Sequence, residues 1–168
     1  MKIGLLSDTH GYLDPRLFEY FSEVDEIWHA GDIGDIAIAD KLAAFKPFRA
    51  VYGNIDTQEA RAMYPEHMFV EIGGFRVLMI HIAGAMGSYN PTTRTLIKDL
   101  KPDLLVCGHS HILKVAFDQK YNLLYMNPGA AGNHGFHQEK TALKFEIRGN
   151  KPENLFLVKL GKRGAIGQ

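Results

Sequence analysis

Lys2-Ile3-Gly4-Leu5-Leu6-Ser7-Asp8-Thr9-His10 is the stretch on which the fold turns. A short apolar run ends abruptly on two metal-type ligands, so it reads as a strand whose carboxyl end opens on a site. The pattern recurs with Ile27-Trp28 before Asp32, Val77-Leu78-Met79-Ile80 before His81, and Leu104-Leu105-Val106 before Gly108-His109-Ser110-His111. Asn54 follows a further strand-like segment, Phe48 to Tyr52. In open α/β sheets the carboxyl ends of the strands face one crevice, where ligands remote in sequence can meet. Asp8, Asp32, Asn54, His81 and His109 are separated by steps of 24, 22, 27 and 28 residues. Each step is close to one strand plus its return connection, roughly 30 residues. The arrangement points to a metal-dependent enzyme.

Outward from that strand, Asp14-Pro15 predicts a helix start, with Asp14 as N-cap and Leu17, Phe18, Phe21 and Val24 at helical spacing. Glu26 to His29 is a second strand, a helix presents Ile36, Ala39, Leu42, Ala43 and Phe45 on one face, and Phe48 to Tyr52 closes a parallel βαβαβ start. His67 to Ile72 and Phe75 to Ile80 flank Gly73-Gly74 as a hairpin. A helix over Pro91 to Leu100 and a strand over Asp103 to Val106 follow. Lys114 to Asp118, Leu123 to Met126, Thr141 to Ile147 and Leu155 to Lys159 then read as short antiparallel strands. The fold class is a mixed α/β sandwich, one domain over residues 1–160, with Gly161 to Gln168 as a frayed tail.

At 168 residues and 46% hydrophobic content the chain suits a single core. Nineteen basic residues balance nineteen acidic ones, so no long-range field gathers nucleic acid or anionic membrane. No apolar run approaches the roughly 20 residues of a membrane span, and the apolar stretch after Lys2 is too short for a signal peptide. The single cysteine, Cys107, sits inside an apolar strand pattern, which fits a reducing compartment. A cytoplasmic protein is expected, with a homodimer as the commonest assembly.

Mixed carboxylate, amide and imidazole ligands suit manganese, iron, nickel or zinc better than an all-oxygen cage. There are too many for one ion. Asp32, preceded by Gly31, is the natural bridge between two cations about 3.5–4 Å apart.

Asp8-x-His10, Gly31-Asp32, Gly53-Asn54, His81 and Gly108-His109-Ser110-His111, in that order, resemble the calcineurin-like metallophosphoesterase superfamily. The small size and Asn127-Pro128-Gly129 resemble its compact bacterial and archaeal phosphodiesterases. The resemblance runs over about residues 1 to 147. It implies a four-layer sandwich of two mixed β-sheets flanked by helices, with a dinuclear metal site at the strand carboxyl ends. One metal would be held by Asp8, His10, Asp32 and His111, the other by Asp32, Asn54, His81 and His109. Manganese would be the usual activator, with nickel, iron, zinc or magnesium as other occupants. The implied function is hydrolysis of small phosphodiesters by attack of a metal-bridging hydroxide, with Asn54, His109 and His10 nearest the phosphate. The same compact fold resembles the small scaffold subunit of retromer, so a non-catalytic, protein-binding scaffold is the alternative. A nuclease is the weaker third reading, since the chain is neutral and has no domain to cap DNA.

Two positions depart from the family pattern. Ile55 follows Asn54 where many relatives carry a histidine thought to help the leaving group, which favours activated leaving groups such as nitrophenyl esters. Ile82 follows His81 where glycine is usual, reshaping the pocket wall. Of the other polar residues, His29 reads as structural and His67 as surface. His134 and His137 read as surface or loop packing rather than pocket lining, and Asp35 and Asp56 as solvated loop carboxylates.

Overall fold

A computed structural model of the chain describes residues 1–164. The first half alternates strand and helix as β1 (Lys2–Leu6), α1 (Arg16–Tyr20), β2 (Glu26–His29), α2 (Ile36–Phe45) and β3 (Phe48–Ala50). β1, β2 and β3 are parallel neighbours. After α3 (Gln58–Met63) come the hairpin β4 (His67–Ile72) and β5 (Phe75–Ile80), the small hairpin β6 (Gly84–Ala85) and β7 (Ser88–Tyr89), and α4 (Pro91–Leu100). The chain continues through β8 (Leu104–Val106), β9 (Lys114–Asp118), β10 (Leu123–Asn127), β11 (Glu139–Arg148) and β12 (Lys151–Lys162). The strands form two five-stranded sheets, ordered β12-β11-β1-β2-β3 and β4-β5-β8-β10-β9. Both are mixed, because α4 returns β5 to a parallel β8 while β4, β9, β11 and β12 join antiparallel.

The layers follow from side-chain alternation. Ile3 and Leu5 of β1 and Val77, Met79, Leu104 and Val106 of the second sheet share one core with Trp28, Phe145 and Ile147, so the sheets pack face to face. Leu6 and Ile27 point the other way, onto Leu17 and Phe21 of the α1 region and Ile38, Ala39 and Leu42 of α2. Leu78, Leu105 and Cys107 point outward from the second sheet onto Ile97 of α4 and Tyr89. Each such buried aliphatic or aromatic side chain contributes about 1.5–3 kcal/mol on leaving water. That packing, rather than intrinsic helicity, sustains an α1 of five residues. The result is the expected sandwich of two mixed sheets flanked by helices.

Several local expectations are corrected. Asp14 does cap the start of α1, its Oδ1 accepting from the Arg16 amide at 3.1 Å while Pro15 is already helical, but the same buried carboxylate also pairs with the Arg16 guanidinium and Lys140, which was not expected. On α2, Ile38 is buried and Ala43 is exposed, because the helix follows Asp35 as N-cap, whose carboxylate accepts from the Ala37 amide at 2.9 Å. The α3 helix and the β6–β7 hairpin lie where no element was expected. α3 is begun by Thr57, whose hydroxyl accepts from the Ala60 amide. β12 reaches Lys162, and the amides of Arg163 and Gly164 donate to Gln138 and Asn133, so the expected frayed tail does not begin at Gly161. Residues 165–168 of that tail lie outside the described residues.

Candidate metal centre

The loops that leave the strand ends are fastened to one another before any ligand is considered. The amides of Asp8, His10 and Gly11 donate to the carbonyls of Gly31, Asp32 and Ile33 at 2.9–3.0 Å, which zips the loop after β1 to the loop after β2. Asp8, His10, Asp32, His109 and His111 all sit in the left-handed region, with φ between 48° and 66°. Non-glycine residues accept that conformation only where the surroundings impose it, and they gather at functional sites. The glycine before a ligand makes room for a ligand from elsewhere. A Cβ at Gly53 would stand 2.0 Å from Asp32 Oδ1, and one at Gly108 2.8 Å from Asp8 Oδ2.

The first sheet's loops deliver Asp8, His10, Asp32 and Asn54, and the second sheet's deliver His81, His109 and His111. Asp8, His10 and His111 offer ligand atoms within 4.8 Å of one another, and so do Asp32, His81 and His109. Asp32 faces both groups, with Oδ2 3.5 Å from His10 Nε2 and Oδ1 3.2 Å from His81 Nε2. Asn54 joins the second group, its Oδ1 lying 3.0 Å from His109 Nδ1. All seven residues singled out from the sequence therefore meet at one place, with Asn54 and His109 on its exposed side.

The donor atoms fit cations. Asp8 Oδ1, His10 Nε2 and His81 Nε2 are buried without a hydrogen-bond partner among the described residues. Orphaned buried polar atoms are rare in folded proteins, and two imidazole nitrogens each within 3.9 Å of an unpartnered carboxylate oxygen make a setting that suits cations. The tautomer of His81 agrees, since its Nδ1 lies 2.7 Å from the Ala30 carbonyl and must carry the hydrogen, leaving Nε2 as a lone pair toward the carboxylates. Burial opposes ionisation of Asp8, yet the imidazoles of His10, His111 and His81 outweigh it and hold its carboxyl well below the usual range. Burial likewise works against protonation of His81, but Asp32 and Asp8 override it and raise its pKa. In this electrostatic setting a proton and a cation compete for one place.

The surroundings correct some readings and bear out others. His29 is buried and structural: burial pushes it down to about 4, Nδ1 accepts from the Gly31 amide and Nε2 meets Thr9 Oγ1 at 3.0 Å. His67 is exposed, as expected. Asp56 is no solvated carboxylate; it is 5% exposed and accepts from the amides of Gly34 and Gly53 at 2.8 and 2.7 Å, fixing two ligand-bearing loops. Asp35 is exposed and caps α2. His134 packs against His10 with ring centroids 5.0 Å apart, and His137 meets His111, so neither is mere surface packing. Asn127 binds the Gly108 carbonyl and Ser110 hydroxyl, placing Asn127-Pro128-Gly129 beneath the histidine loop. A cleft of about 480 Å³ opens over the ligands, rimmed by Ile55, Ile112 and Phe136. Ile82 forms a wall of the adjoining clefts. No helix among the described residues is long and apolar enough to cross a membrane.

Comparison with known proteins bears on this geometry. Residues 1–150 match the model of the calcineurin-like phosphoesterase superfamily domain. A probable metallophosphoesterase of Methanocaldococcus jannaschii is 34% identical over 137 residues, covering 77% of this chain and 68% of that protein. A phosphodiesterase of the same organism is 25% identical over 145 residues, covering 77% of this chain and 83% of its own length. In fold the chain is similar to Vps29 of Entamoeba histolytica in complex with zinc, with a TM-score of 0.73, 16% identity, and coverage of 95% of this chain and 98% of that one. The chemistry is that of a metal-dependent phosphoesterase acting on small phosphoesters with divalent ions, and the chain belongs to the calcineurin-like phosphoesterase superfamily.

Proposed function

We propose that the chain is a phosphodiesterase for small diesters, with two divalent cations shared between the Asp8–His10–His111 and Asp32–Asn54–His81–His109 groups and bridged by Asp32. The observation that carries the reading is that three buried, unpartnered ligand atoms, Asp8 Oδ1, His10 Nε2 and His81 Nε2, are spread over both ligand groups. Manganese suits this borderline mixture of oxygen and imidazole donors. Such cations, when bound, lower the pKa of water to near neutrality and draw charge from phosphoryl oxygens.

The chain's own residues supply the rest. Asn54 and His109, on the exposed side of the ligand set, and His10, lining the same cleft, stand where they can orient the phosphate. Ala30 holds the proton of His81 at Nδ1, away from the reaction. Beside Asn54, the exposed Ile55 cannot give a proton to the departing oxygen. The leaving group must then depart as a stable anion, which favours aryl esters. Ile55, Ile112 and Phe136 at the rim suit an apolar ester group. Cys107, whose thiol burial pushes up to about 12, is inert and in keeping with a reducing cytoplasm.

The test is hydrolysis of bis(p-nitrophenyl) phosphate and p-nitrophenyl phosphate with Mn²⁺ supplied. The diester is expected to turn over faster. No turnover of either ester, or faster turnover of the monoester, overturns the reading, and the first outcome would favour the scaffold alternative.

A further inference from the structure

The loop from Gly129 to His137 is drawn against the buried half of the centre. The amides of Ala131 and Gly132 donate to the carbonyls of Ser7 and Asp8 at 2.9 and 3.1 Å. A Cβ at Gly135 would stand 2.1 Å from His111 Nδ1, so only glycine, here at φ +122°, allows so close an approach. The approach delivers His137. Its Nδ1 lies 3.3 Å from His111 Nδ1, its Nε2 lies 2.9 Å from the Gly132 carbonyl, and the two rings cross at 74°.

These contacts fix where the hydrogens are. A carbonyl only accepts, so His137 Nε2 carries hydrogen and, in the neutral ring, His137 Nδ1 is a bare acceptor. His111 must therefore donate from Nδ1, which leaves its Nε2 as a lone pair 3.1 Å from Asp8 Oδ1. That oxygen has no hydrogen-bond partner, so the two atoms do not bond to each other but face a common point. His81 reaches the same tautomer by a different route, from a backbone carbonyl of its neighbouring sheet.

We infer that His137 is a positioning residue that locks the Nδ1–H tautomer of His111 and thereby sets the affinity of the cation held by Asp8, His10 and His111, leaving the second cation unaffected. The inference rests on the functional reading above, and the test separates the two. Outer hydrogen-bond partners of ligating histidines are worth roughly 10–100-fold in metal affinity.

The experiment is calorimetric titration of the metal-free full chain with Mn²⁺, for the wild type, His137→Leu and His137→Asn. Leucine fills the volume without an acceptor; asparagine keeps an acceptor near the place of Nδ1. Wild type is expected to take up two ions, His137→Leu to lose roughly 10–100-fold at one of them, and His137→Asn to stay within about threefold of wild type. In ¹⁵N spectra of the metal-free protein, the His111 proton is expected on Nδ1 in wild type and on Nε2 in His137→Leu. Unchanged uptake of both ions by His137→Leu overturns this inference alone, as does equal weakening in the two variants. A wild type that takes up no Mn²⁺ overturns the functional reading and this inference with it.

Discussion

Asp8 and Asp14 lie six positions apart in the loop after β1, and both are buried, yet the protein treats their carboxylates in opposite ways. Asp14 is fully partnered: Arg16 donates through its amide at 3.1 Å, Nε at 2.9 Å and Nη2 at 2.8 Å, and the buried Lys140 ammonium adds a contact at 3.1 Å. Asp8 accepts from the His109 amide through Oδ2 at 3.1 Å, while Oδ1 faces only imidazoles that offer it no hydrogen bond. A buried charge matched by fixed cations belongs to the scaffold. One left open among neutralisable bases belongs to a site, because leaving it so costs stability until an ion arrives.

The contrast is open to attack, most forcefully at Asp32, the proposed bridge. Asp32→Ala is expected to release both ions and lower hydrolysis at least ~10³-fold, the several kcal/mol of charge stabilisation that divalent ions provide. His67→Ala serves as the inert control, and equal initial rates for the two variants would dismantle the centre. On the scaffold side, Lys140→Met is expected to destabilise by about 3 kcal/mol, the lower end for breaking a buried ion pair, because Arg16 still holds Asp14. Urea unfolding measures the loss, and kcat on the folded protein should not move. Were activity to fall with stability intact, Asp14 would belong with Asp8.

Acid separates the pair more gently. Arg16 and Lys140 depress Asp14 to about 2, below its unfolded value near 3.8, so its contribution is present above that value and is lost as pH falls from about 4 to about 2. Metal-linked stability goes earlier, because His10, His81 and His111 must be neutral to bind, and His81 is raised above the ordinary imidazole value of about 6.5. The difference in melting temperature with and without chelator is therefore expected to vanish between about pH 7 and 5, while the Asp14-linked loss begins only below about pH 4. A chelator effect that persists at pH 4 would refute the histidine ligands. The smallest effect is a gain: Ile55→His places an imidazole beside Asn54, and alkyl diester turnover should rise about tenfold, below the usual range for a positioned proton donor. No change in the ratio of alkyl to aryl rates would mean that leaving-group departure is not governed from that position.

Asp8 and Asp14 also mark what could be read from the chain. Asp8 was legible because its partner is local, His10 two residues on, and because strand-then-ligand recurs down the sequence at nearly constant steps. The parallel β1–β3 start and the Gly73-Gly74 hairpin were legible for the same reason, since each depends on periodicity or a turn. Asp14 followed by Pro15 carried an equally local signal for a cap, and the Arg16 amide does donate to its carboxylate; the pairing with Lys140, 126 residues away, was not legible. The partners of Asp56 and His137 escaped notice in the same manner. What those two residues hold, the amides of Gly34 and Gly53 and the ring of His111, becomes a neighbour only after the loops meet. Glycine was the overlooked signal: Gly53 and Gly108 each precede a ligand because a side chain there would strike another ligand.

One consequence of the ligand distribution concerns how the molecule comes apart. With four of the proposed ligands on one sheet and three on the other, bound cations would clasp the open end of a sandwich whose halves are otherwise joined face to face by a shared apolar layer. Separating the halves of the loaded protein requires breaking coordination as well as exposing that layer. Amide hydrogens in β1 and β8, one from each half, should then exchange together in the loaded protein and drift apart in rate once it is stripped of metal.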